Sequence, residues 1–195
     1  MISGLRSRQI CLEANKPGAG APSFAISGFG KNAYGVDCSA HDEAVASCDT
    51  EVTKLVEILL IEDSQGDAEL TRLALQEGPV PVRLVVVEDG VDGLRYLRRQ
   101  GEFKDATRPS LILLDLNLPR LSGREILTEL KNDRELSTIP VLVLSSSAAE
   151  QDITESYRAH ANCYLQKPTG LPGFVKLAAS LQAFWLETAK LPPNG

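Results

Sequence analysis

The sequence is short of several things. No apolar run approaches the roughly 20 residues that a membrane-spanning helix needs, and the amino terminus has no apolar block of the kind that marks a secretory signal. Basic residues are not in excess: 20 Lys+Arg against 26 Asp+Glu leave a formal charge of −6. That balance argues against a dedicated nucleic-acid binder, whose footprint is a basic patch. Four cysteines at irregular spacing do not make a disulfide framework in 195 residues, so a reducing, cytoplasmic setting is expected. No internal repeat is visible. What remains is ordinary, with 43% hydrophobic and 24% charged residues. The length suits one domain plus an extension and can bury a core without staples.

The chain divides near Lys54. Residues 1–54 lack sustained periodicity and are rich in Gly, Ala and Ser, as in KPGAGAPSFAIS. Such composition buries too little apolar surface to offset ordering entropy, so this stretch is expected to be a disordered extension. It holds two decoys. Gly28, Gly30 and Ala33 fit a dinucleotide-binding spacing, but FAIS is a poor strand and Tyr34-Gly35 interrupts any following helix. Cys11, Cys38, His41 and Cys48 are metal ligands by type, but their spacing matches no standard zinc site.

From Leu55 onward, short apolar runs alternate with amphipathic stretches. LVEILLI, VRLVVV, LILL, VLVL and CYLQ read as strands over 55–61, 82–87, 111–114, 141–144 and 163–166. Ser64, with Asp67 as a capping-box partner, opens the first helix, whose expected buried stripe is Leu70, Leu73 and Ala74. Asp89 caps a second helix with Val91, Leu94 and Leu97 inward. Residues 123–132 form a third with Ile126, Leu127 and Leu130 inward, residues 151–159 a short fourth, and 171–191 a long last one. Continuously apolar strands mean burial on both faces, hence a parallel sheet covered by helices. Five such units in order imply a doubly wound α/β fold, with ligands outside the carboxyl ends of the strands.

At those ends stand Glu62-Asp63, Asp115, Ser145-Ser146-Ser147 and Lys167. Each alone has a bland reading as a cap or a turn. Together they bring three carboxylates, hydroxyls and an ammonium to one rim. Three close carboxylates repel one another, and a bound divalent cation relieves that repulsion. Mg²⁺ suits such an all-oxygen site. Asp115 ends the central strand and is the expected nucleophile toward an activated phosphorus, giving an acyl phosphate. Lys167 and the cation would neutralise the phosphoryl oxygens, and the Ser145 hydroxyl would donate to them.

These residues resemble the receiver domains of two-component response regulators. The resemblance is carried by EILLIED, LILLDLNLP, IPVLVLSSS and NCYLQKP, and it covers residues 55–193. It implies a flavodoxin-like sheet of order 2-1-3-4-5. It implies a phosphoryl group accepted on Asp115 from a sensor histidine kinase. Asp63 and Asp115 would ligate Mg²⁺ directly, the Asn117 backbone carbonyl would be a third protein ligand, and Glu62 would act through water. Ser145 matches the switch hydroxyl, Tyr164 the aromatic switch position and Lys167 the phosphoryl-contacting lysine, with Ser146 beside the phosphoryl site. DLNLPRLSGREIL, ANCYLQKP and FWLETAKLPP further resemble the stand-alone regulators paired with bacterial and cyanobacterial phytochromes. That subfamily implies a homodimer, output through protein contacts without direct nucleic-acid binding or membrane insertion, and no classical enzymatic activity. With five residues after Lys190, no DNA-binding domain is expected to follow.

Two features bear on the details. His160 stands in a loop position where the resemblance calls for Gly, a strained place if φ is positive there. Phe184, Trp185 and Leu186 are consecutive on the last helix and fan over about 200°, so at least one must face outward. They are the candidate dimer surface. Rival readings are an unphosphorylated docking module of the same fold and a haloacid-dehalogenase-type phosphatase. The latter needs an acid two residues after the nucleophile, where this chain has Asn117.

Overall fold

Five strands form one parallel sheet in the order β2-β1-β3-β4-β5: β1 Val56–Ile61, β2 Val82–Val87, β3 Leu111–Leu114, β4 Val141–Ser145 and β5 Cys163–Gln166. The helices between and after them are α1 Gln65–Gln76, α2 Gly90–Leu97, α3 Gly123–Asn132, α4 Glu150–Arg158 and α5 Gly170–Leu181. The sheet is doubly wound, as the succession of units implies, and its order is the one the receiver-domain resemblance implies. The computed structural model describes residues 55–192. The extension expected over 1–54, with its glycine pattern and its cysteine and histidine set, lies outside the described residues. Among the described residues no helix is long and apolar enough to cross a membrane.

Alternate strand residues face opposite sides, so an all-apolar strand feeds two cores. Leu59, Ile61, Ile112, Leu114 and Val143 pack with Leu94 and Leu97 of α2 and with Ile126, Leu127 and Leu130 of α3. Ile58, Leu60, Leu113 and Leu142 pack on the other side with Ala68, Ala74 and Leu75 of α1 and with Phe174, Ala178 and Leu181 of α5. The α3 stripe is as expected. The α1 stripe is rotated: Ala68, Thr71, Ala74 and Leu75 are buried, Leu70 is half-buried and Leu73 is exposed. Small residues on the inner side let α1 lie close against the sheet and α5. Val91 of α2 is only half-buried, and Tyr96 is buried instead, its hydroxyl donating to Glu57 Oε1 at 2.8 Å.

The two expected amino-terminal caps are in place, and a third that was not expected joins them. Asp89 Oδ1 accepts from the amides of Val91 and Asp92 at 2.8 and 2.9 Å, and Ser122 with Glu125 completes a reciprocal capping box at the start of α3. Ser64 Oγ accepts from the Asp67 amide at 3.2 Å, but the return bond of the expected box is missing. The Asp67 carboxylate is turned toward Lys167 instead.

Two helices end in the same motif. After α4, His160 N–H donates to Tyr157 O and Ala161 N–H to Ser156 O; after α2, Arg99 N–H donates to Tyr96 O and Gln100 N–H to Arg95 O. This double bond closure puts one residue in the left-handed region, a place that favours glycine. Here it is His160 at φ 64° and Arg99 at φ 53°. The positive φ anticipated at His160 is therefore present. His160→Gly and Arg99→Gly should each raise stability by about 0.5–1 kcal/mol in urea unfolding, relief of strain outweighing the added freedom of the unfolded chain. Two destabilised variants would show that these side chains carry compensating contacts.

The last helix departs from expectation. It does not run regularly to Leu191; after Leu181 the turn widens to π-helical over Gln182–Thr188. No glycine or proline in that stretch announces the change. It begins at Gln182, whose amide is fully buried and shared with the α1–β2 connection. Its Oε1 accepts from Val80 N–H at 3.0 Å and its Nε2 donates to Leu75 O at 2.8 Å.

Candidate functional site

Register builds the site. Ile61 of β1 pairs with Val87 and Leu114, so the next residues, Glu62 and Asp115, leave adjacent strand ends together. The Asp115 amide donates to Ile61 O at 3.0 Å and the Lys167 amide to Ser145 O at 2.8 Å. Gly123 lets α3 start against this rim: a Cβ there would lie 2.0 Å from the Asp115 carbonyl oxygen.

The Lys167 ammonium is nearly buried and stands among three carboxylates. Nζ lies 2.7 Å from Asp115 Oδ2, 2.6 Å from Glu62 Oε2 and 2.9 Å from Asp67 Oδ2. Burial opposes its charge, but the Asp115, Glu62 and Asp67 carboxylates outweigh that and hold it above the ordinary lysine range. Burial is also the main force on Glu62, lifting its carboxyl to about 7 against the pull of Lys167, with the Asp115 charge adding to the rise. Glu62 Oε1 accepts from the Ser64 amide at 3.2 Å. Oε2 is buried with an ionic neighbour but no well-aligned donor.

Glu62, Asp63 and Asp115 each offer an oxygen within 4.8 Å of the others. Asp63 faces solvent and has no side-chain partner among the described residues, while Asp115 is buried with its Oδ1 accepting from the Asn117 amide at 3.1 Å. Three hard carboxylate donors crowded on one rim fit a divalent cation of the Mg²⁺ class. Asn117 lies on the exposed loop just after Asp115.

Of the remaining expected residues, Ser145 is fully buried at the end of β4 and its Oγ accepts from the Ser147 amide at 3.3 Å. Ser146 is exposed beside it. Tyr164 on β5 is half-buried, and its hydroxyl donates to Ser147 O at 2.9 Å. Ser147 in turn donates to Asp152 of α4, which is paired with Arg124 of α3. Phe184 is 56% exposed, whereas Trp185 and Leu186 are half-buried against the α1–α5 core. Of the three candidate contact residues, Phe184 is the one that faces outward.

Sequence reading missed Asp67 as a member of the site. Its one signal was an acidic residue in the first turn after β1, which a capping role already explained. It also missed the Arg124–Asp152–Ser147 link, whose residues lie on separate elements. A surface cleft of about 560 Å³, lined by Arg98, Arg99, Arg108 and Asp133, lies at the opposite, amino end of the sheet. The acidic site is an open rim.

Comparison with known proteins accords with this geometry. The response regulator receiver domain model matches residues 58–179. Response regulator Rcp1 of Synechocystis sp. is 44% identical over 135 residues, covering 69% of this chain and 92% of its own. The crystal structure of the phosphorylated cyanobacterial phytochrome response regulator RcpA superposes with a TM-score of 0.68 at 46% identity, over 71% of this chain and 99% of that one. The Mn²⁺-bound form of Rcp1 superposes at 0.67 and 43% identity over the same shares.

Proposed function

The chain belongs to the response regulator receiver family, and from that premise we propose that Asp115 accepts a phosphoryl group from the phosphohistidine of a sensor kinase. The observation that carries this reading is the buried Asp115 at the end of the central strand, with the Lys167 ammonium 2.7 Å from its carboxylate. An Asp115 oxygen attacks phosphorus as the donor P–N bond breaks. The bonding pair returns to the imidazole nitrogen, and an acyl phosphate remains on Asp115. Lys167 is placed to pair with the phosphoryl oxygens, and the Ser145 hydroxyl, with Ser146 beside it, to donate to them.

Asp63, Asp115 and the Asn117 carbonyl would hold Mg²⁺, with Glu62 acting through water. When bound, the ion neutralises charge on the phosphoryl oxygens. Asn117 cannot give the proton that a phosphatase of the haloacid-dehalogenase type needs, so the chain is read as a phosphoacceptor and not as a classical enzyme. Incubation with acetyl phosphate and Mg²⁺ followed by intact-mass measurement tests the assignment; no mass gain would overturn it.

The partner we propose is a phytochrome-type histidine kinase in the cytoplasm. Its support is the likeness to the cyanobacterial phytochrome response regulator RcpA, at 46% identity over 71% of this chain, and to the bacteriophytochrome response regulator RtBRR, at 39% over 72%. Output would pass through protein contacts, with Ser145 and Tyr164 as the switch pair, and no direct nucleic-acid contact.

We further propose a homodimer through the last helix, centred on Phe184. An exposed aromatic beside half-buried Trp185 and Leu186 suits such an interface. Sedimentation should show a dimer at tens of micromolar that Phe184→Glu converts to monomer without loss of fold. Leu186→Glu should cost stability as well, because that side chain also packs on the core. A monomeric wild type, phosphorylated or not, would refute the interface.

A further inference from the structure

We propose that Asp67 is a positioning residue for phosphoryl transfer: it holds the Lys167 ammonium toward α1 in the resting site, and occupation of Asp115 by a phosphoryl group draws the ammonium away. The inference rests on the proposed acceptor role of Asp115.

Three observations meet here. Lys167 Nζ reaches Asp67 Oδ2 at 2.9 Å, a contact as well formed as the one to Asp115 at 2.7 Å. The Asp67 backbone is anchored independently of that contact, its amide donating to Ser64 Oγ and its carbonyl accepting from Thr71 Oγ1. The carboxylate is therefore presented by a fixed helical turn rather than by a loose loop. Finally, Asp67 stands outside the trio of oxygens that Glu62, Asp63 and Asp115 bring within 4.8 Å of one another. Its one side-chain partner among the described residues is Lys167.

An ammonium has three protons to share. In the resting site they face Glu62, Asp67 and Asp115. A phosphoryl group on Asp115 adds oxygens carrying about two negative charges, which compete for the same protons. Glu62 is buried next to Asp115 and stays within the phosphoryl site. Asp67, on α1 and part-exposed, is the partner that can be given up, because water can solvate the carboxylate that is left. Its charge thus favours the resting state in two ways: it competes for Lys167, and it repels an incoming anion.

The two effects act in the same direction on an anion and in the opposite direction on a cation, so affinity measurements separate this role from a structural one. In Asp67→Asn, beryllofluoride, a stable analogue of the phosphoryl group, should bind about five-fold more tightly at saturating Mg²⁺ by fluorine NMR titration. Mg²⁺ alone should bind about five-fold more weakly by calorimetry. These sizes are those of one part-exposed charge a few ångströms away. Asp67→Glu should return both affinities toward wild type, and thermal melts should show all variants folded. Both affinities falling together, or neither changing, would overturn the positioning role while leaving Asp115 as acceptor. A wild type that binds no beryllofluoride and gains no phosphoryl mass would overturn the acceptor reading and this inference with it.

Discussion

Asp115→Asn should abolish the mass gain from acetyl phosphate while the protein still melts cooperatively. The amide matches the carboxylate in shape, so the buried position stays filled, but its nitrogen and oxygen are poor nucleophiles. The rate should fall by at least about 10³-fold, in line with removal of a nucleophile elsewhere. The Asn117 amide, which donates to Asp115 Oδ1 at 3.1 Å, keeps an acceptor in the amide oxygen. Lys167 keeps Glu62 and Asp67. The surrounding structure therefore has no reason to collapse, and loss of phosphorylation can be read as loss of the acceptor. Phosphoryl mass retained by this variant would move the acceptor elsewhere, with Asp63 the first residue to examine.

Lys167→Met should lower stability by about 3–5 kcal/mol in urea unfolding with a chelator present, and Mg²⁺ should restore a large part of it. Methionine keeps the length and the apolar stem while removing the charge. The cost arises because Glu62 and Asp115 are both almost fully buried beside the lost ammonium. Removing one partner of a buried ionic group leaves uncompensated charge, which is far more costly than breaking an exposed pair. A cation bound to the folded state alone adds stability in proportion to the logarithm of its saturation. With no ammonium competing for the same oxygens, Mg²⁺ should also bind this variant more tightly than wild type. Equal stability of variant and wild type in chelator would show that the three carboxylates are not held together by Lys167 as described.

The two buried carboxylates also show how far the sequence could be read. Glu62, Asp63, Asp115, Ser145 and Lys167 were legible because each directly follows or ends an apolar strand. In a parallel sheet with helical crossovers, all such strand ends lie on one side. That rule needs no distances. It placed the five residues on one rim, but it could not say that Lys167 reaches Asp67 as well as Asp115. That contact joins residues 100 positions apart, and it depends on how α1 leans over the sheet.

The α1 stripe shows the same limit. Helical periodicity offered Leu70, Leu73 and Ala74, yet the helix buries Ala68, Thr71, Ala74 and Leu75, a stripe with one leucine whose three smaller side chains permit a close approach. The π-helical turn at Gln182–Thr188 is likewise a tertiary matter: Gln182 satisfies backbone groups at 75 and 80 that belong to another part of the chain.

What the sequence determined by itself is local and periodic: the five apolar strands, the caps at Ser64 and Asp89, the strand-end chemistry, and the single-file order of units that fixes a doubly wound sheet. Only the tertiary structure decided which way each helix turns, that Phe184 rather than Trp185 or Leu186 points outward, and that Asp67 shares the ammonium of Lys167. Hydrophobic period and capping act over one or two turns and are written in neighbouring residues. Helix rotation and a shared proton donor depend on the packing of surfaces brought together from distant positions, which no short window of sequence contains.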